Sequence, residues 1–478
     1  MNAMNLNKMM EKLGIWELND MQQEARQVIL GKRNDVLILS PTGTGKTLAY
    51  LLPLVQLIDA GSDKVQALVV VPGRELALQS DTVLKSLGSG LRSQSCYGGR
   101  TAMEEHRVLR QNRPQVIFGT PGRLNDHLDK GNIEAHHIKY IVIDEFDKCL
   151  EMGFLDEMTR LLERLTAVER RILLSATEKG IDGIGHSPLH IDHSWIRVDY
   201  LDHEDMMNNV NRSTVDGSKR VEVYRVDCPQ RDKLDTLGSL LLSLGQQQSI
   251  VFLNYRESVE RVDAYLRDRG FVTSAFHGGL EQRQREDALY RFSNGSATVL
   301  VSTDLASRGL DIPQIDNIIH YHLPQNEEAL VHRVGRTARW DATGRTFFLV
   351  GPEESLDYSS FFDESSGAAD QAIEQYDLAG IMADGQGSMP NGNKTANIPQ
   401  PRMATLYIGK GKKDKLSKGD IVGFLCKTGG LTAEEIGCID VKDRYAYVAI
   451  ARPRLQMVLR NVQGGKIKGL RTVVEQVR

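Results

Sequence analysis

A chain of 478 residues is long enough for about three domains, and its 41% of hydrophobic residues excludes a disordered protein. Its five cysteines are scattered and form no CxxC pair, which argues against a disulfide framework or a zinc site and favours a cytoplasmic protein with reduced thiols. No apolar run reaches the roughly 20 residues of a transmembrane helix, so no membrane partner is expected.

Charge is divided unevenly along the chain. Residues 403–478 contain 15 Lys and Arg against 7 Asp and Glu, a net of +8. The first 402 residues contain 44 Lys and Arg against 56 Asp and Glu, a net of −12. A basic C-terminal segment on an acidic body suggests a polyanionic partner bound by that end, although a basic surface also serves solubility alone.

The first 201 residues alternate short β-branched runs with amphipathic segments. Strands that alternate with helices predict an α/β domain whose mostly parallel sheet is covered on both faces. The predicted strands are Val36–Leu39, Ala67–Val71, Val116–Phe118, Tyr140–Ile143 and Arg171–Leu174, and helices are predicted at Thr47–Ile58 and Met103–Gln111.

The same pattern restarts after a polar stretch at 202–219, which is predicted to be a hinge or an insertion. A second α/β domain is therefore predicted over 220–364. Residues 365–402 are rich in Gly, Ser, Asn, Pro and Ala, which predicts a flexible linker to a compact third unit at 403–478. The strands predicted in the second domain are Ser249–Leu253, Val272–Phe276, Thr298–Ser302, Asn317–Tyr321 and Thr346–Val350.

The first predicted strand runs directly into a glycine-rich loop at 40–47, with the sequence SPTGTGKT, and a helix follows. Glycines allow successive backbone N–H groups to face phosphate oxygens, and the helix N-terminus adds a positive field. Lys46 is then able to reach the β- and γ-phosphates, and the Thr47 hydroxyl is able to bind Mg²⁺. The loop therefore predicts a nucleotide site with ATP and Mg²⁺ as cofactors.

A second element of that site is the predicted strand Tyr140–Ile143, which ends in the acidic sequence DEFD at 144–147. Asp144 at the tip of a strand is well placed to hold Mg²⁺ through water. Glu145 is then able to orient and deprotonate the attacking water. The pattern predicts a hydrolase.

These motifs and their order resemble those of the DEAD-box RNA helicases. In the first domain the Q motif corresponds to 14–22, motif I to 40–47, Ia to 72–77, GG to 98–99, Ib to 120–123, II to 144–147 and III to 175–177. In the second domain motif IV corresponds to 251–254, QxxR to 282–285, V to 303–311 and VI to 332–339. The resemblance covers roughly residues 6–350. It implies two tandem RecA-like domains and ATP hydrolysis coupled to RNA unwinding.

The resemblance also assigns roles in the ATP site. Gln22 would read the adenine edge, Asp311 would hold the ribose, and two arginines would supply positive charge to the transferred phosphate from the lobe opposite Lys46. The implied catalytic residues are Lys46, Asp144, Glu145, Arg336 and Arg339. The implied ATP-binding residues are Gln22, Thr42, Gly43, Thr44, Gly45, Lys46, Thr47, Gly309 and Asp311. The implied metal ligands are Thr47 and Asp144.

The remaining motif residues are implied to couple hydrolysis to RNA or to hold the RNA. The coupling residues are Asp147, Ser175, Thr177 and His332. The RNA contacts are Arg74, Gly98, Gly99, Thr120 and Arg123 in the first lobe and Gly278, Arg285 and Thr303 in the second. Backbone amides and arginines favour phosphates over bases, so the motor is expected to be nearly sequence-blind. Each position also has a structural alternative, because glycines permit turns and arginines cap helices.

Two departures from the family pattern affect the ATP site. Phe146 replaces the alanine of motif II, and activity is expected to persist with local repacking because the carboxylates before it are intact. The aromatic residue that usually precedes the Q motif has no clear counterpart, since Met4 and Leu6 lie where it would fall. Adenine selectivity is therefore expected to depend more on Gln22.

Two predicted strands of the C-terminal unit carry aromatic residues. Leu406–Gly409 resembles the RNP2 motif of an RNA-recognition motif (RRM), and Asp443–Ile450 partly resembles RNP1. Alternate residues of a strand share a face, so Tyr445 and Tyr447 are expected to point the same way. Together with Tyr407 they are predicted to stack unpaired RNA bases, unless that face is the core.

A lysine-rich stretch at 410–419, with the sequence KGKKDKLSKG, separates the two strands and is predicted to be a loop. The five lysines of this stretch, which include Lys412 and Lys413, and the later Lys466 and Lys468 are expected to contact RNA phosphates with an affinity that falls with salt. A solvated charged loop is the alternative.

The whole arrangement is similar to the DbpA group of bacterial DEAD-box proteins. The resemblance implies an α+β RRM-like RNA-binding domain at 403–478 that recognises structured RNA, namely a hairpin of 23S-type large-subunit ribosomal RNA. Pre-ribosomal particles are then the expected partners, and ribosome assembly is the expected process. Two alternatives remain open: an ATP-gated RNA clamp or annealing factor without strand separation, and a helicase of messenger RNA turnover.

Overall fold

A computed structural model describes most of the chain. The described residues are 3–31, 34–41, 43–98, 102–178, 181, 189–192, 194–201, 221–307, 315–337, 343–356, 374–378 and 398–477. They fall into two compact units, residues 1–210 with 309–311 and residues 211–308 with 312–478. The predicted hinge at 202–219 lies outside the described residues.

The first unit is built on a seven-stranded parallel sheet with the order β3-β4-β2-β5-β6-β1-β7. Its strands are β1 (Val36–Leu39), β2 (Ala67–Val70), β3 (Ser93–Cys96), β4 (Val116–Gly119), β5 (Tyr140–Ile143), β6 (Arg170–Ser175) and β7 (Ile196–Asp199). Strands β1, β2, β4 and β5 are buried along their whole length, as expected for a parallel sheet that is covered on both faces.

Helices cover the two faces of this sheet. They are α1 (Ala3–Glu11), α2 (Asp20–Gly31), α3 (Lys46–Leu57), α4 (Arg74–Leu87), α5 (Ala102–Asn112), α6 (Pro121–Asp129), α7 (Phe146–Glu151) and α8 (Leu155–Arg164). Val36 and Ile38 of β1 pack in one apolar cluster with α1 to α4, and Leu37 and Leu39 pack in a second cluster with α5 to α8. The alternation along β1 therefore separates two cores.

The second unit begins with another seven-stranded parallel sheet, in the order β10-β11-β9-β12-β13-β8-β14. Counted from the first strand of each sheet, the two orders are identical, so the chain contains two tandem RecA-like domains. The strands are β8 (Val221–Asp227), β9 (Ser249–Phe252), β10 (Thr273–Phe276), β11 (Val299–Ser302), β12 (Asn317–His320), β13 (Gly344–Val350) and β14 (Glu374–Gln375). The helices are α9 (Leu234–Leu244), α10 (Arg256–Asp268), α11 (Gln282–Ser293) and α12 (Glu327–Val334).

Parts of the predicted linker belong to the second RecA-like domain. Strand β14 pairs with β8 at the edge of the sheet, and Leu378 packs in the apolar core beside it. Farther along, Ile398 packs against the same core, and Nε2 of Gln400 donates to the backbone oxygen of Gly270 at 3.1 Å. These stretches are thus not free linker, because they supply an edge strand and apolar contacts that their composition does not signal.

The C-terminal domain is a four-stranded antiparallel sheet with two helices on one face. Its elements follow in the order β15 (Met403–Ile408), α13 (Lys418–Phe424), β16 (Ile436–Val441), β17 (Ala446–Ala451), α14 (Leu455–Asn461), the hairpin β18 (Lys466–Ile467) and β19 (Leu470–Arg471), and β20 (Val474–Gln476). Alternate residues of β15 and β17 pack with the helices in one core. Among the described residues, no helix has the length and apolar character needed to cross a membrane.

Candidate ATP site and RNA-binding surfaces

The glycine-rich loop between β1 and α3 has a backbone that only glycine accommodates easily. Gly43 and Gly45 have φ angles of 84° and 82°, in the left-handed region. At Gly45 the restriction is also steric, because an added Cβ would lie 2.3 Å from Nε2 of Gln22. Thr42 of the same loop lies outside the described residues. The loop therefore has the tight turn that a phosphate cradle needs.

Lys46 begins α3, and its ammonium group is folded into the loop. Nζ donates hydrogen bonds to the backbone oxygens of Ser40 at 2.5 Å and Pro41 at 3.0 Å. The Ser40 hydroxyl donates in turn to Oγ1 of Thr44 at 2.8 Å. Thr47, the next residue of the helix, is partly buried. Lys46 and Thr47 thus begin α3 immediately after the loop, and their predicted phosphate and Mg²⁺ contacts stay predictions.

Gln22 connects α2 to this loop rather than standing apart from it. Its Nε2 donates to the backbone oxygen of Gly45 at 3.1 Å, and its Oε1 accepts from the backbone N–H of Asn19 at 3.2 Å. Asn19 caps α2 and donates to the backbone oxygen of Thr44 at 2.9 Å. Asn19 was not predicted as a site residue, although Asn-x-x-Gln before a helix is the signal of a capping box. Both polar atoms of Gln22 are engaged in these contacts, so its adenine-reading role stays a prediction.

Asp144 lies at the end of β5, almost completely buried beside the phosphate loop. Burial raises the pKa of Asp144 to about 6, although the charge of Lys46 acts in the opposite direction. Its Oδ1 accepts a hydrogen bond from the backbone N–H of Glu145 at 3.0 Å. The Asp144 carboxylate and the Thr47 hydroxyl are both hard oxygen donors of the kind that Mg²⁺ prefers. Asp144 and Thr47 therefore fit the predicted metal site.

Glu145 has an unusual backbone for a residue with a side chain. Its φ and ψ of 51° and 53° lie in the left-handed region, immediately before α7. Such a conformation costs roughly 1–3 kcal/mol in a residue other than glycine and is found preferentially at functional sites. The turn separates Glu145 from the buried Asp144 and leaves its side chain only partly buried, as a general base that meets water must be.

The predicted coupling residues Asp147, Ser175 and Thr177 form one hydrogen-bonded group. Oδ2 of Asp147 accepts from the hydroxyl of Thr177 and the backbone N–H of Ala176, both at 3.3 Å. The Ser175 hydroxyl donates to the backbone oxygen of Thr177 at 2.6 Å. Phe146, between the carboxylates, is fully buried in the second core of the first unit. Motifs II and III are thus joined directly by hydrogen bonds. Phe146, which stands where the family has alanine, packs in the core.

A buried carboxylate that was not predicted, Glu105 of α5, holds together residues of the first unit that are predicted to contact RNA. Its Oε2 accepts from Nε of Arg123 at 2.7 Å and Nε2 of His127 at 2.9 Å, and its Oε1 accepts from the backbone N–H of Tyr97 at 3.2 Å. Burial would raise the pKa of Glu105, but the bonds from His127 and Arg123 outweigh it and hold the pKa below its usual value. Glu105 therefore joins motif Ib to the residue before the GG motif.

The other predicted contacts of the first unit lie close to this network. Arg74 begins α4, with Nη2 3.7 Å from the position that a Cβ would take on Gly98. Thr120 immediately precedes α6, the helix that carries Arg123. Gly99 lies outside the described residues. The sulfur of Cys96 lies within 4.8 Å of the carboxylate and imidazole ligand atoms of the Glu105 network. That carboxylate already accepts from an arginine, so hydrogen bonding accounts for the cluster.

In the second unit, Arg333 joins three motifs although only its neighbours were assigned roles. Its guanidinium is fully buried and donates to both carboxylate oxygens of Asp304, at 2.5 and 3.1 Å, and to Oδ1 of Asn254 at 2.7 Å. The predicted coupling residue His332 and the predicted catalytic Arg336 are buried beside it on and just after α12. Arg333 therefore fixes motif VI against motifs IV and V. The predicted Gly309, Asp311 and Arg339 lie outside the described residues.

The predicted RNA contacts of the second unit lie at the carboxyl ends of two neighbouring strands and on α11. Gly278 follows β10 and is exposed, and Thr303 follows β11 and is partly buried. Arg285, near the start of α11, is largely buried, and its Nη2 donates to Oε1 of Gln282 at 2.9 Å. The sheet thus brings these three positions to one edge, because the carboxyl ends of parallel strands meet there.

The aromatic face of the C-terminal sheet packs against α11. The ring of Tyr447 stacks on Tyr290 with centroids 4.9 Å apart, and its hydroxyl donates to Asp287. The guanidinium of Arg283 lies 4.7 Å from the ring centre of Tyr407 and 5.9 Å from that of Tyr445. Tyr445 and Tyr447 do share a face, with rings 5.2 Å apart. The prediction that these rings stack RNA bases does not hold for this arrangement. Helix α11 of the second RecA-like domain covers that face, and Tyr447 is fully buried.

The predicted lysine loop lies at the end of the C-terminal sheet where β15 ends and β16 turns into β17. The backbone N–H groups of Lys412 and Lys413 donate at 2.8 Å to the backbone oxygens of Lys442 and Asp443, so the loop lies against the turn between β16 and β17. Nζ of Lys468 donates to the backbone oxygen of Lys415 at 3.0 Å. We call the exposed side chains of Lys412, Lys413, Lys415 and Lys468 the lysine ledge.

Comparison with known families identifies three matching regions along the chain. The DEAD/DEAH box helicase family matches residues 19–182, the helicase conserved C-terminal domain matches 232–341, and the DbpA RNA binding domain matches 405–476. Solved structures with the same fold include yeast Dbp5 bound to RNA and ADP BeF3, with a TM-score of 0.67, 24% identity and coverage of 80% of this chain and 96% of that one. The fold and the motif residues define a two-domain helicase motor followed by an RNA-binding domain.

Curated relatives extend over nearly the full length. ATP-dependent RNA helicase DbpA of Escherichia coli is 34% identical over 97% of this chain and 94% of its own. The protein of the same name in Bacillus subtilis is 28% identical over 96% and 95%. The chain therefore belongs to the DEAD-box ATP-dependent RNA helicases of the DbpA type, enzymes that couple ATP hydrolysis to RNA unwinding.

Proposed function

We propose that this helicase remodels 23S-type large-subunit ribosomal RNA during ribosome assembly, with pre-ribosomal particles as its partners. The observation that carries the proposal is the C-terminal domain. Residues 405–476 match the DbpA RNA binding domain, and the described part of that domain presents the lysine ledge to solvent. A motor that contacts RNA through phosphates has little sequence preference of its own, so an appended domain must supply the choice of target.

In the ATP site, we assign roles to four residues of the first unit. Lys46 would neutralise charge on the β- and γ-phosphates, Thr47 and Asp144 would hold Mg²⁺, and Glu145 would take the proton of the attacking water. The metal ion supplies charge neutralisation of the phosphates when it is bound. Arg336 and Arg339 keep the role that the resemblance to the family implies for them, which is to supply positive charge to the transferred phosphate.

The lysine ledge is the surface that we assign to ribosomal RNA. Its position depends on Gly411, because an added Cβ there would lie 2.3 Å from the backbone oxygen of Lys442 and would push the loop away from the sheet. The ledge lies in the domain whose aromatic face is occupied by α11, so RNA is able to bind there while the domain stays docked on lobe 2. The motor and the tether then act on neighbouring parts of one RNA.

A comparison of RNA activators tests this proposal. ATP hydrolysis is measured with the ribosomal RNA hairpin fragment and with an unrelated hairpin of equal length and stability. The proposal predicts half-maximal activation at a concentration at least tenfold lower for the ribosomal fragment. Equal activation by both hairpins would contradict it, as would crosslinking in cells that recovers only messenger RNA.

A further inference from the structure

Helix α11 carries two functional sets of side chains on neighbouring faces. Arg283, Glu286, Asp287 and Tyr290, which lie within two turns of the helix, contact the C-terminal domain. Gln282 and Arg285 belong to the QxxR motif, whose arginine is the proposed RNA contact of the second lobe. Helix α11 therefore contacts the C-terminal domain and also carries the proposed RNA contact of the motor.

A continuous chain of hydrogen bonds joins the two sets. The hydroxyl of Tyr445 donates to Oε2 of Glu286 at 2.7 Å. The other oxygen of that carboxylate, Oε1, accepts from Nε2 of Gln282 at 3.1 Å. Oε1 of Gln282 accepts in turn from Nη2 of Arg285 at 2.9 Å. Three bonds thus connect a tyrosine of the RNA-binding domain to an arginine of the motor.

The chemistry of the groups fixes the direction of every bond in this chain. An ionised carboxylate only accepts and a guanidinium only donates. The amide nitrogen of Gln282 must therefore face Glu286, and its oxygen must face Arg285. A flipped amide would place like groups opposite each other at both ends. The chain consequently has one arrangement in which all three bonds form.

We propose that Tyr445 is a positioning residue that couples docking of the C-terminal domain to the grip of the motor on RNA. The hydroxyl holds Glu286 against Gln282, and Gln282 holds the guanidinium of Arg285. When the hydroxyl leaves, Glu286 is released to turn towards Arg285 and to compete with an RNA phosphate for its charge. The inference rests on the proposed RNA contact of Arg285.

The first test removes only the hydroxyl. Tyr445→Phe keeps the ring, and a phenylalanine ring stacks on an RNA base as a tyrosine ring does, so a stacking role would leave this variant unchanged. The expected result is a roughly three- to tenfold rise in the concentration of poly-uridine RNA that gives half-maximal ATPase activity, with the maximal rate unchanged, as for the loss of one positioned hydrogen bond.

Tyr290→Phe is the matched control. The Tyr290 hydroxyl crosses the same interface and donates to the backbone oxygen of Cys438 at 2.6 Å, but it has no bond to Gln282 or Glu286 among the described contacts. This variant loses one docking hydrogen bond and is expected to keep the RNA concentration for half-maximal activity within twofold of the wild type. An equal effect of the two substitutions would overturn the inference, because loss of docking alone would then explain it.

A double substitution tests whether the effect of Tyr445→Phe passes through Gln282. Gln282→Ala removes the middle of this series of hydrogen bonds, so adding Tyr445→Phe is expected to change the RNA concentration for half-maximal activity no further. An undiminished effect of Tyr445→Phe in this background would overturn the proposed path. Arg285→Ala separates this inference from the proposed function. If Arg285→Ala weakens RNA activation while Tyr445→Phe does not, only the coupling fails. If Arg285→Ala has no effect, the RNA contact itself is wrong and the coupling falls with it.

Discussion

Asp144 and Glu145 are adjacent, yet the structure gives them opposite environments. Asp144 is buried with a raised pKa, whereas Glu145 stands in a left-handed turn with its side chain partly buried. The first is suited to a metal ion and the second to a water molecule. We expect Glu145→Gln to lower the ATPase rate at least about hundredfold, because general-base catalysis contributes that much or more, while ATP affinity changes little. Single-turnover hydrolysis and nucleotide titration measure the two quantities, and a variant that keeps a tenth of the rate would contradict the assignment.

The buried charge of Asp144 also has a consequence for stability. Its folded pKa of about 6 lies above the value of 3.8 for an exposed carboxyl, so at pH 7 folding has to keep a charge where burial disfavours it. Asp144→Asn is therefore expected to raise the free energy of unfolding of the nucleotide-free protein by ~1–3 kcal/mol and to abolish hydrolysis. Chemical denaturation at pH 7 measures the change. Asp147→Asn is the control and should not stabilise, because Asp147 accepts hydrogen bonds from Ala176 and Thr177.

Much of the ATP site follows from local sequence, because phosphate binding and hydrolysis require particular residues at fixed offsets in one loop and one strand. Lys46, Asp144 and the group of Asp147, Ser175 and Thr177 lie together as their motifs indicate. Glu105 and Arg333 escaped prediction because their partners are distant in sequence. Glu105 lies 18 residues from Arg123, and Arg333 lies 79 residues from Asn254.

At the scale of elements, the parallel strands were predicted within one or two residues wherever they are apolar. Four of the described parallel strands were missed: β3 (SQSC) and β14 (EQ), which carry no β-branched run, and β7 (IRVD) and β8 (VEVYRVD), in which charged residues interrupt the apolar ones. They pair at sheet edges or near them, where the backbone of the neighbouring strand determines the structure. Strand alternation correctly predicted that Tyr445 and Tyr447 share a face, but not that α11 covers it, since that helix is about 160 residues away in sequence.

The junction of α5, α6 and the GG motif yields another prediction. Glu105→Gln keeps the shape of the side chain but removes the charge that holds Arg123. We expect an at least roughly tenfold weaker activation of the ATPase by RNA with unchanged ATP affinity, since a hydrogen bond to a charged group contributes about 1.5–3 kcal/mol. Asp126→Asn is the matched control, because Asp126 is the more exposed and more distant partner of Arg123, at 3.3 Å. If Asp126→Asn were the more damaging variant, Glu105 would not be the residue that positions Arg123.

At the scale of the whole molecule, the C-terminal domain is attached to the second lobe by side chains as well as by the chain. The contacts of Tyr445, Tyr447 and Thr405 with α11 and the residues after it make the tail part of the same compact unit. The composition of 365–402 predicted a loose tether, because composition reports only the segment itself. A docked domain instead holds its bound RNA at a fixed place relative to lobe 2.

The lysine ledge yields a prediction about salt. Changing Lys412, Lys413, Lys415 and Lys468 together to Gln removes four phosphate contacts, and each contact with a duplex contributes roughly 0.9 to the slope of log affinity against log salt concentration. Titration of the ribosomal RNA hairpin at several salt concentrations should therefore show a slope lower by about three to four. An unchanged slope would exclude the ledge as the RNA surface. Lys427, which is exposed outside the ledge, provides a control substitution.

We expect ATP hydrolysis to separate RNA strands at a site chosen by the C-terminal domain. The most direct test is the rate of strand separation of a short duplex joined to the ribosomal RNA hairpin, compared with the same duplex joined to an unrelated hairpin. The variant with the four ledge lysines changed to Gln leaves the aromatic face docked on α11 and is therefore preferable to deletion of 403–478. We predict ATP-dependent separation that is at least tenfold faster beside the ribosomal hairpin, with this advantage lost in the ledge variant. Equal rates on both substrates, or ATP hydrolysis without strand separation, would contradict the claim.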